Sequence, residues 1–133
     1  MIKGSLVHND YAELLHTNRI INKNYISSQI QPSSIDLTLS EECYEIKASF
    51  LSPNNKIRDK LNKVIEKKID LNEKYLFKKN TSYLVRLNEK LNLSNNIFGK
   101  CNPKSSTGRL DIFCRTILDF CDEYEKIPLN YSG

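Results

Sequence analysis

Gly99-Lys-Cys-Asn-Pro-Lys-Ser-Ser-Thr-Gly-Arg-Leu-Asp-Ile-Phe-Cys-Arg115 is the stretch from which the rest of the chain is read. Ile97 to Cys101 is a short apolar-leaning run, Pro103 and Gly108 mark a break, and Leu110 to Thr116 resumes a strand-like composition. The pattern predicts a turn between two strands. That turn carries Lys104, Ser105, Ser106 and Arg109, an ammonium, two small hydroxyls and a guanidinium, with Gly108 able to let the backbone approach a ligand. A polyphosphate requires such groups: cations for charge-assisted bonds, a guanidinium for fork geometry, and backbone N–H groups that can form a concave nest. The Gly-x-x-x-x-Gly-Lys-Ser/Thr spacing is missing and no long helix pattern follows, which argues against a P-loop nucleoside triphosphatase. By composition alone the turn reads first as a solvated loop, so the decision rests on other segments.

The chain has 133 residues, one domain by length and large enough for a single core. A net charge of +4 suits a polyanionic ligand as well as a nucleic acid. No cluster of basic residues interleaved with aromatics is present, and a nucleic-acid module is the least favoured class. Cys43, Cys101, Cys114 and Cys121 form neither a Cys-x-x-Cys pair nor a zinc-ligand spacing, so reduced thiols are expected. No apolar run approaches the roughly eighteen residues a membrane span needs, and Met-Ile-Lys-Gly-Ser-Leu at the start lacks a signal-peptide core. A cytoplasmic protein with no membrane partner is expected.

Tyr11, Leu14 and Leu15 recur at helical spacing, predicting a short helix over residues 8–17 with Asn9 as N-cap. His8 and His16 flank it without a metal-binding spacing and read as surface histidines. Residues 18–28 read as a loop. Ile35, Leu37 and Leu39 alternate with Asp36, Thr38 and Ser40, the period of a half-buried strand over 34–39 that turns Asp36 away from the core. A second strand is expected over 43–50, closed by Pro53. Ile57, Leu61, Val64 and Ile65 then form the stripe of an amphipathic helix over about residues 54–68. Strands are expected over 71–77 and 82–87, joined by a turn at 78–81, with Arg86 and Glu89 facing solvent or a neighbouring subunit. The uneven alternation of Leu110 to Leu118 predicts a strand buried on both sides near an oligomer axis. Residues 119–126 are acidic and irregular.

Pro-Lys-Ser-Ser-Thr-Gly-Arg-Leu at 103–110 resembles the phosphate-binding motif of the deoxyuridine triphosphatase and dCTP deaminase superfamily. Ile-Gln-Pro-Ser-Ser-Ile-Asp-Leu-Thr-Leu at 30–39 is similar to that superfamily's first motif, especially in its deaminase branch. With Ala-Ser-Phe-Leu at 48–51 and Ile-Pro-x-x-Tyr-x-Gly at 127–133, nearly the whole chain resembles the N-terminal half of the long bacterial 2'-deoxycytidine 5'-triphosphate deaminases, in which two such domains are fused.

The resemblance implies a mainly β, distorted jelly-roll or β-clip fold of the dUTPase type, with one N-terminal helix and one mid-chain amphipathic helix, over residues 1–133. It implies hydrolytic deamination of dCTP to dUTP and ammonia, in which a water held by a carboxylate and a serine attacks C4 of the pyrimidine. Zinc-dependent deaminases carry His-x-Glu and Pro-Cys-x-x-Cys signatures, which this chain lacks, so a zinc-independent route is expected. Magnesium (Mg2+) would enter only through the substrate triphosphate. Carried over position by position, Ser105 matches the serine that positions the water, and Ser106 and Arg109 match triphosphate or active-site contacts. Lys104 stands where Arg is common, and Arg115 and Asp119 fall in the segment lining the pyrimidine pocket. Asp36 lies at a position close to the nucleotide in the family.

Pro128 replaces the Asp usual in the third motif. The family's general-base Glu lies on the strand after the aromatic-x-Gly, past Gly133, so the chain is expected to be truncated before that strand and inactive alone. Homotrimers, or pseudo-trimers of fused domains, are implied. Pyrophosphate hydrolysis of dUTP on the same fold, and a non-catalytic structural or nucleotide-binding half, remain as alternatives.

Overall fold

A computed structural model describes residues 4–50, 57–94, 96–97 and 99–116. The chain begins with α1 (His8–His16) and a two-residue strand β1 (Ile20–Ile21), and reaches β2 (Leu39–Ile46) through a single 3-10 turn at Ser27–Gln29. Then come α2 (Ile57–Leu61), β3 (Ile65–Asp70), β4 (Ser82–Leu87), the short β5 (Lys90–Leu91) and α3 (Ser105–Arg109). Among the described residues all strand pairing is antiparallel: β2 lies between β3 and β4, and β1 pairs with β5.

α1 forms where expected, but its N-cap is Val7 and not Asn9. The carboxylate of Asp10 accepts the Val7 N–H at 2.7 Å, occupying an amide that the helix leaves open. At the other end Thr17 donates its N–H and hydroxyl to Glu13 O, and Asn18 turns the chain out in the left-handed region at φ 54°. Leu15 then packs with Ile20 and Ile30 in one buried cluster, flanked by Tyr11, Leu14, Ile35, Leu91 and Leu93. His8 N donates to Pro32 O at 3.0 Å and Tyr11 Oη to Ser33 O at 3.2 Å, so the first motif is laid along the helix.

That motif is not the strand its alternation predicts. Only Ile35 makes a bridge, to Ile30, and the regular strand starts at Leu39. Ladder partners are pre-empted: Gln29 O accepts the Asp36 N–H, Ser34 O accepts the Gln31 N–H, and the Thr38 N–H goes to a side chain. Strand β2 is covered on both faces over 43–46. Tyr44 and Ile46 meet Leu61 of α2 on one side, while Glu45 on the opposite side receives Lys78 and the hydroxyl of Tyr75.

The long mid-chain helix is also shorter than its stripe predicts. α2 ends at Leu61, residues 62–64 turn, and Ile65–Asp70 joins the sheet with Cys43 opposite Ile69 and Tyr44 opposite Lys68. β-Branched Val64, Ile65 and Ile69 lose rotamer freedom in a helix and fit a pleated ladder, and a short helix in water is marginal against that alternative. The strand expected over 71–77 is therefore displaced to 65–70. Tyr75 and Phe77 in the irregular segment stack edge-on against each other and against Tyr83. β4 has the expected bounds, and Asn80 at φ 56° makes the turn before it.

Glu89 corrects the surface assignment outright, because it is 8% exposed. Arg86 is half-buried and pairs with Glu42 at 3.3 Å. Of the run at 97–101, the described residues 97 and 99–101 contribute one bridge position, at Lys100. No strand forms over 112–116, and Leu110, Ile112 and Phe113 face outward in the single chain, Phe113 at 98% exposure. Residues 117–118 and the third motif at 127–133 lie outside the described residues. Among the described residues no helix is long and apolar enough to cross a membrane.

Candidate functional site

The turn expected at 103–109 is a short helix in the structure. Pro103 precedes it, Lys104 is its N-cap, and Thr107 and Gly108 return their N–H groups to Lys104 O at 3.0 and 3.2 Å. Gly108 does not take a positive φ, and a Cβ built there meets nothing within 4 Å, so steric demand in the free chain does not explain that glycine. Ser105 and Arg109 are four apart on α3 and share a side of it, with Ser106 next to them around the helix. All three are exposed.

Lys104 Nζ reaches across to Asp36 and ion-pairs with its Oδ2. Gln31 Nε2 approaches the same oxygen at 3.4 Å. The first motif and the phosphate-type motif, far apart in sequence, thus meet at one carboxylate. The Asp36 side chain is 30% exposed and that of Lys104 is 62% exposed, so the ammonium keeps donors free for a ligand. Arg115 lies past the end of α3 and is exposed, and Asp119 lies outside the described residues.

Behind Asp36 stands a buried polar frame that sequence reasoning missed. Gln29, 5% exposed, accepts the Ile26 N–H on its side-chain oxygen and donates from Nε2 to Asp36 O at 2.9 Å. The same nitrogen donates to Glu89 Oε1 at 3.0 Å. Asn22 Nδ2 at 2.7 Å and the Thr38 hydroxyl at 2.8 Å also donate to that oxygen, while Thr38 N donates to Glu89 Oε2 at 2.9 Å. Asn88 completes the frame, donating to Thr38 Oγ1 and Leu39 O from its side chain and to Thr38 O from its backbone. Nothing in the sequence distinguishes Glu89 from the other acidic residues, since its burial is a consequence of tertiary contacts.

A second charged cluster lies on the α2 side of the sheet. Arg58 grips Glu42 with both terminal nitrogens, at 2.7 and 3.1 Å, and the hydroxyl of Tyr44 donates to the same carboxylate. The Arg58 bonds hold the Glu42 carboxyl down to about 2, against partial burial, with Tyr44 and Arg86 helping. The same contact raises the Arg58 guanidinium further above its ordinary value. This cluster pins α2 to the sheet. An open groove of about 390 Å³, lined by residues including Leu39, Glu41, Leu71, Tyr75 and Phe77, contains neither Asp36 nor any residue of α3. Among the described residues no group of three His, Cys, Asp or Glu side chains could hold a metal. Cys43, Cys101 and Cys114 are free thiols, and burial pushes the first two up.

Antiparallel sheets with a few short helices, and two nucleotide-type motifs brought together at their loops, define a mainly β domain of the dUTPase-like class. The sequence profile described as "2'-deoxycytidine 5'-triphosphate deaminase (DCD) N-terminal domain" matches residues 2–133. The chain belongs to this family. Its fold is similar to the crystal structure of 2'-deoxycytidine 5'-triphosphate deaminase from Agrobacterium tumefaciens, with a TM-score of 0.83 and 36% sequence identity. That likeness covers 98% of this chain and 40% of the other. No curated protein gives a match to the chain.

Proposed function

We propose that this chain forms the nucleotide-binding part of a dCTP deaminase, a hydrolase that replaces the C4 amine of the cytosine ring by oxygen to give dUTP and ammonia. The observation that carries the reading is the Lys104–Asp36 pair, which gathers both family motifs at one point beside Ser105, Ser106 and Arg109. Lys104, Ser106 and Arg109 bind the triphosphate: the guanidinium supplies a bidentate fork, the ammonium a point charge, and Ser106 a hydroxyl donor. Ser105 orients the attacking water. Arg115 and Asp119 line the pyrimidine pocket.

Water adds to C4, its proton passes to a carboxylate base, and the amine departs as ammonia after taking up a proton. Asp36 is not that base in this reading, because it is held by Lys104 and serves as a tether. The reaction in this reading is zinc-independent, with Mg2+ carried on the triphosphate oxygens. The exposure of α3 supports a site completed by another domain or subunit, in a trimer or pseudo-trimer. Free thiols fit a cytoplasmic setting.

The test is product analysis with the intact protein, dCTP and magnesium. Ammonia and dUTP are the expected products. Pyrophosphate released from dUTP without ammonia from dCTP would reassign the site to a dUTP pyrophosphatase. Binding of dCTP without turnover would leave a non-catalytic half.

A further inference from the structure

Glu45 and Glu89 are the buried carboxylates among the described residues, and they are satisfied differently. Glu45 is matched by the ammonium of Lys78 at 3.0 Å. Glu89 has no cation within ion-pair distance among the described residues and instead accepts four hydrogen bonds from neutral donors of Asn22, Gln29 and Thr38. A buried charge is costly unless it is fully bonded, and here the donors come from three separate points of the segment that carries Asp36. Gln29 and Thr38 bracket Asp36, one holding its carbonyl oxygen directly and both fastened to Glu89.

We propose that Glu89 is the positioning residue of the nucleotide site: it fixes the 29–38 segment so that Asp36 meets Lys104 and presents α3 to the phosphates. The inference rests on the phosphate-binding reading of α3 given above. Its physical basis is acceptor count. Oε1 takes three donors and Oε2 a fourth, which a carboxylate can accept with its two oxygens. A carboxamide has one acceptor oxygen and turns N–H groups toward either Thr38 N or the amides of Asn22 and Gln29. Glu89→Gln therefore keeps the volume and breaks at least one clamp in either orientation of the amide.

The experiment compares the intact wild-type protein with Glu89→Gln by hydrogen–deuterium exchange and by dCTP titration in magnesium. Expected is faster exchange over residues 29–38 and 104–109, with the amides of β2 over 43–46 and of β4 at wild-type rates, and affinity for dCTP weakened about tenfold. Faster exchange spread evenly through β2, β3 and β4, or confined to 29–38 with 104–109 unaltered, overturns the inference, as does wild-type affinity for dCTP in the variant. Thr38→Val removes one donor, leaves the carboxylate in place and gives the same pattern at smaller size, so the reading survives a Glu89→Gln chain that fails to fold. A wild-type protein that binds no dCTP sinks the phosphate-binding reading alone, and the exchange pattern still decides whether Glu89 positions α3.

Discussion

Asp36 and Lys104 are separated by 68 residues and ion-paired through Oδ2 and Nζ, which makes them the junction of the chain's two nucleotide-type motifs. Because the pair is exposed, its worth to folding is small, under about 1 kcal/mol. In the proposed reading its worth to binding is larger. Lys104 has three N–H donors and in that reading keeps Asp36 while offering the others to a phosphate. Lys104→Met is expected to weaken dCTP binding about tenfold and Asp36→Asn by less, with the double variant no worse than Lys104→Met. Calorimetric titration of the four proteins reads this cycle. Tighter binding by Asp36→Asn would mean that the carboxylate competes with the ligand for the ammonium.

Arg109 shares a side of α3 with Ser105 and is exposed. Arg109→Ala is expected to lower dCTP affinity roughly ten- to a hundredfold while leaving the melting temperature where it was, since few contacts are lost. Arg109→Lys restores part of the loss, because an ammonium replaces the charge and not the fork. Full recovery by lysine would remove the bidentate role.

The sequence disclosed α1, β4 and the two motifs because each rests on local information: an apolar helical stripe, a β-branched and aromatic run, and a string of residue types with a spacing. Residues 34–38 misled because their alternation is that of a strand, whereas the amides of Asp36 and Thr38 are claimed by Gln29 and Glu89 and the carbonyl of Ser34 by the Gln31 N–H. Residues 62–68 misled for the opposite reason. Their apolar spacing continues the helix of Ile57 and Leu61, and only the presence of Tyr44 opposite them decides for the ladder. Glu89 illustrates the general obstacle: a burial that depends on Asn22, Gln29 and Thr38 folding around it has no signature in the residues beside it.

Glu42 gives the fold a pH dependence of known sign. Arg58 depresses its carboxyl from 4.5 to about 2 in the folded chain. A depressed folded value means the unfolded chain takes up the proton first, so the stabilisation is complete above about pH 4.5 and is lost as pH falls toward 2. Urea midpoints measured across that window should decline in the wild type and decline less in Glu42→Gln, which also loses about 1 kcal/mol at neutral pH. Parallel declines in the two proteins would show that the Arg58 contact is not the source.

Among the described residues two apolar clusters stand apart, and their separation can be tested by matched truncations. Leu61, 4% exposed, fills the cluster of Tyr44 and Ile46 under α2. Ile30, 9% exposed, fills the cluster of Leu15 and Ile20 and also makes the bridge to Ile35 inside the first motif. Each truncation to alanine removes buried methylenes and leaves a void, a loss of about 2–4 kcal/mol by the usual cost of such changes. The two losses should be similar in chemical denaturation, but only Ile30→Ala should also weaken dCTP binding, because the segment it anchors carries Asp36. Leu61→Ala acts on the far cluster, and its folded fraction should bind as the wild type does. Equal effects of both variants on affinity would mean that the sheet and the site respond as one unit, and the frame around Asp36 would lose its separate role.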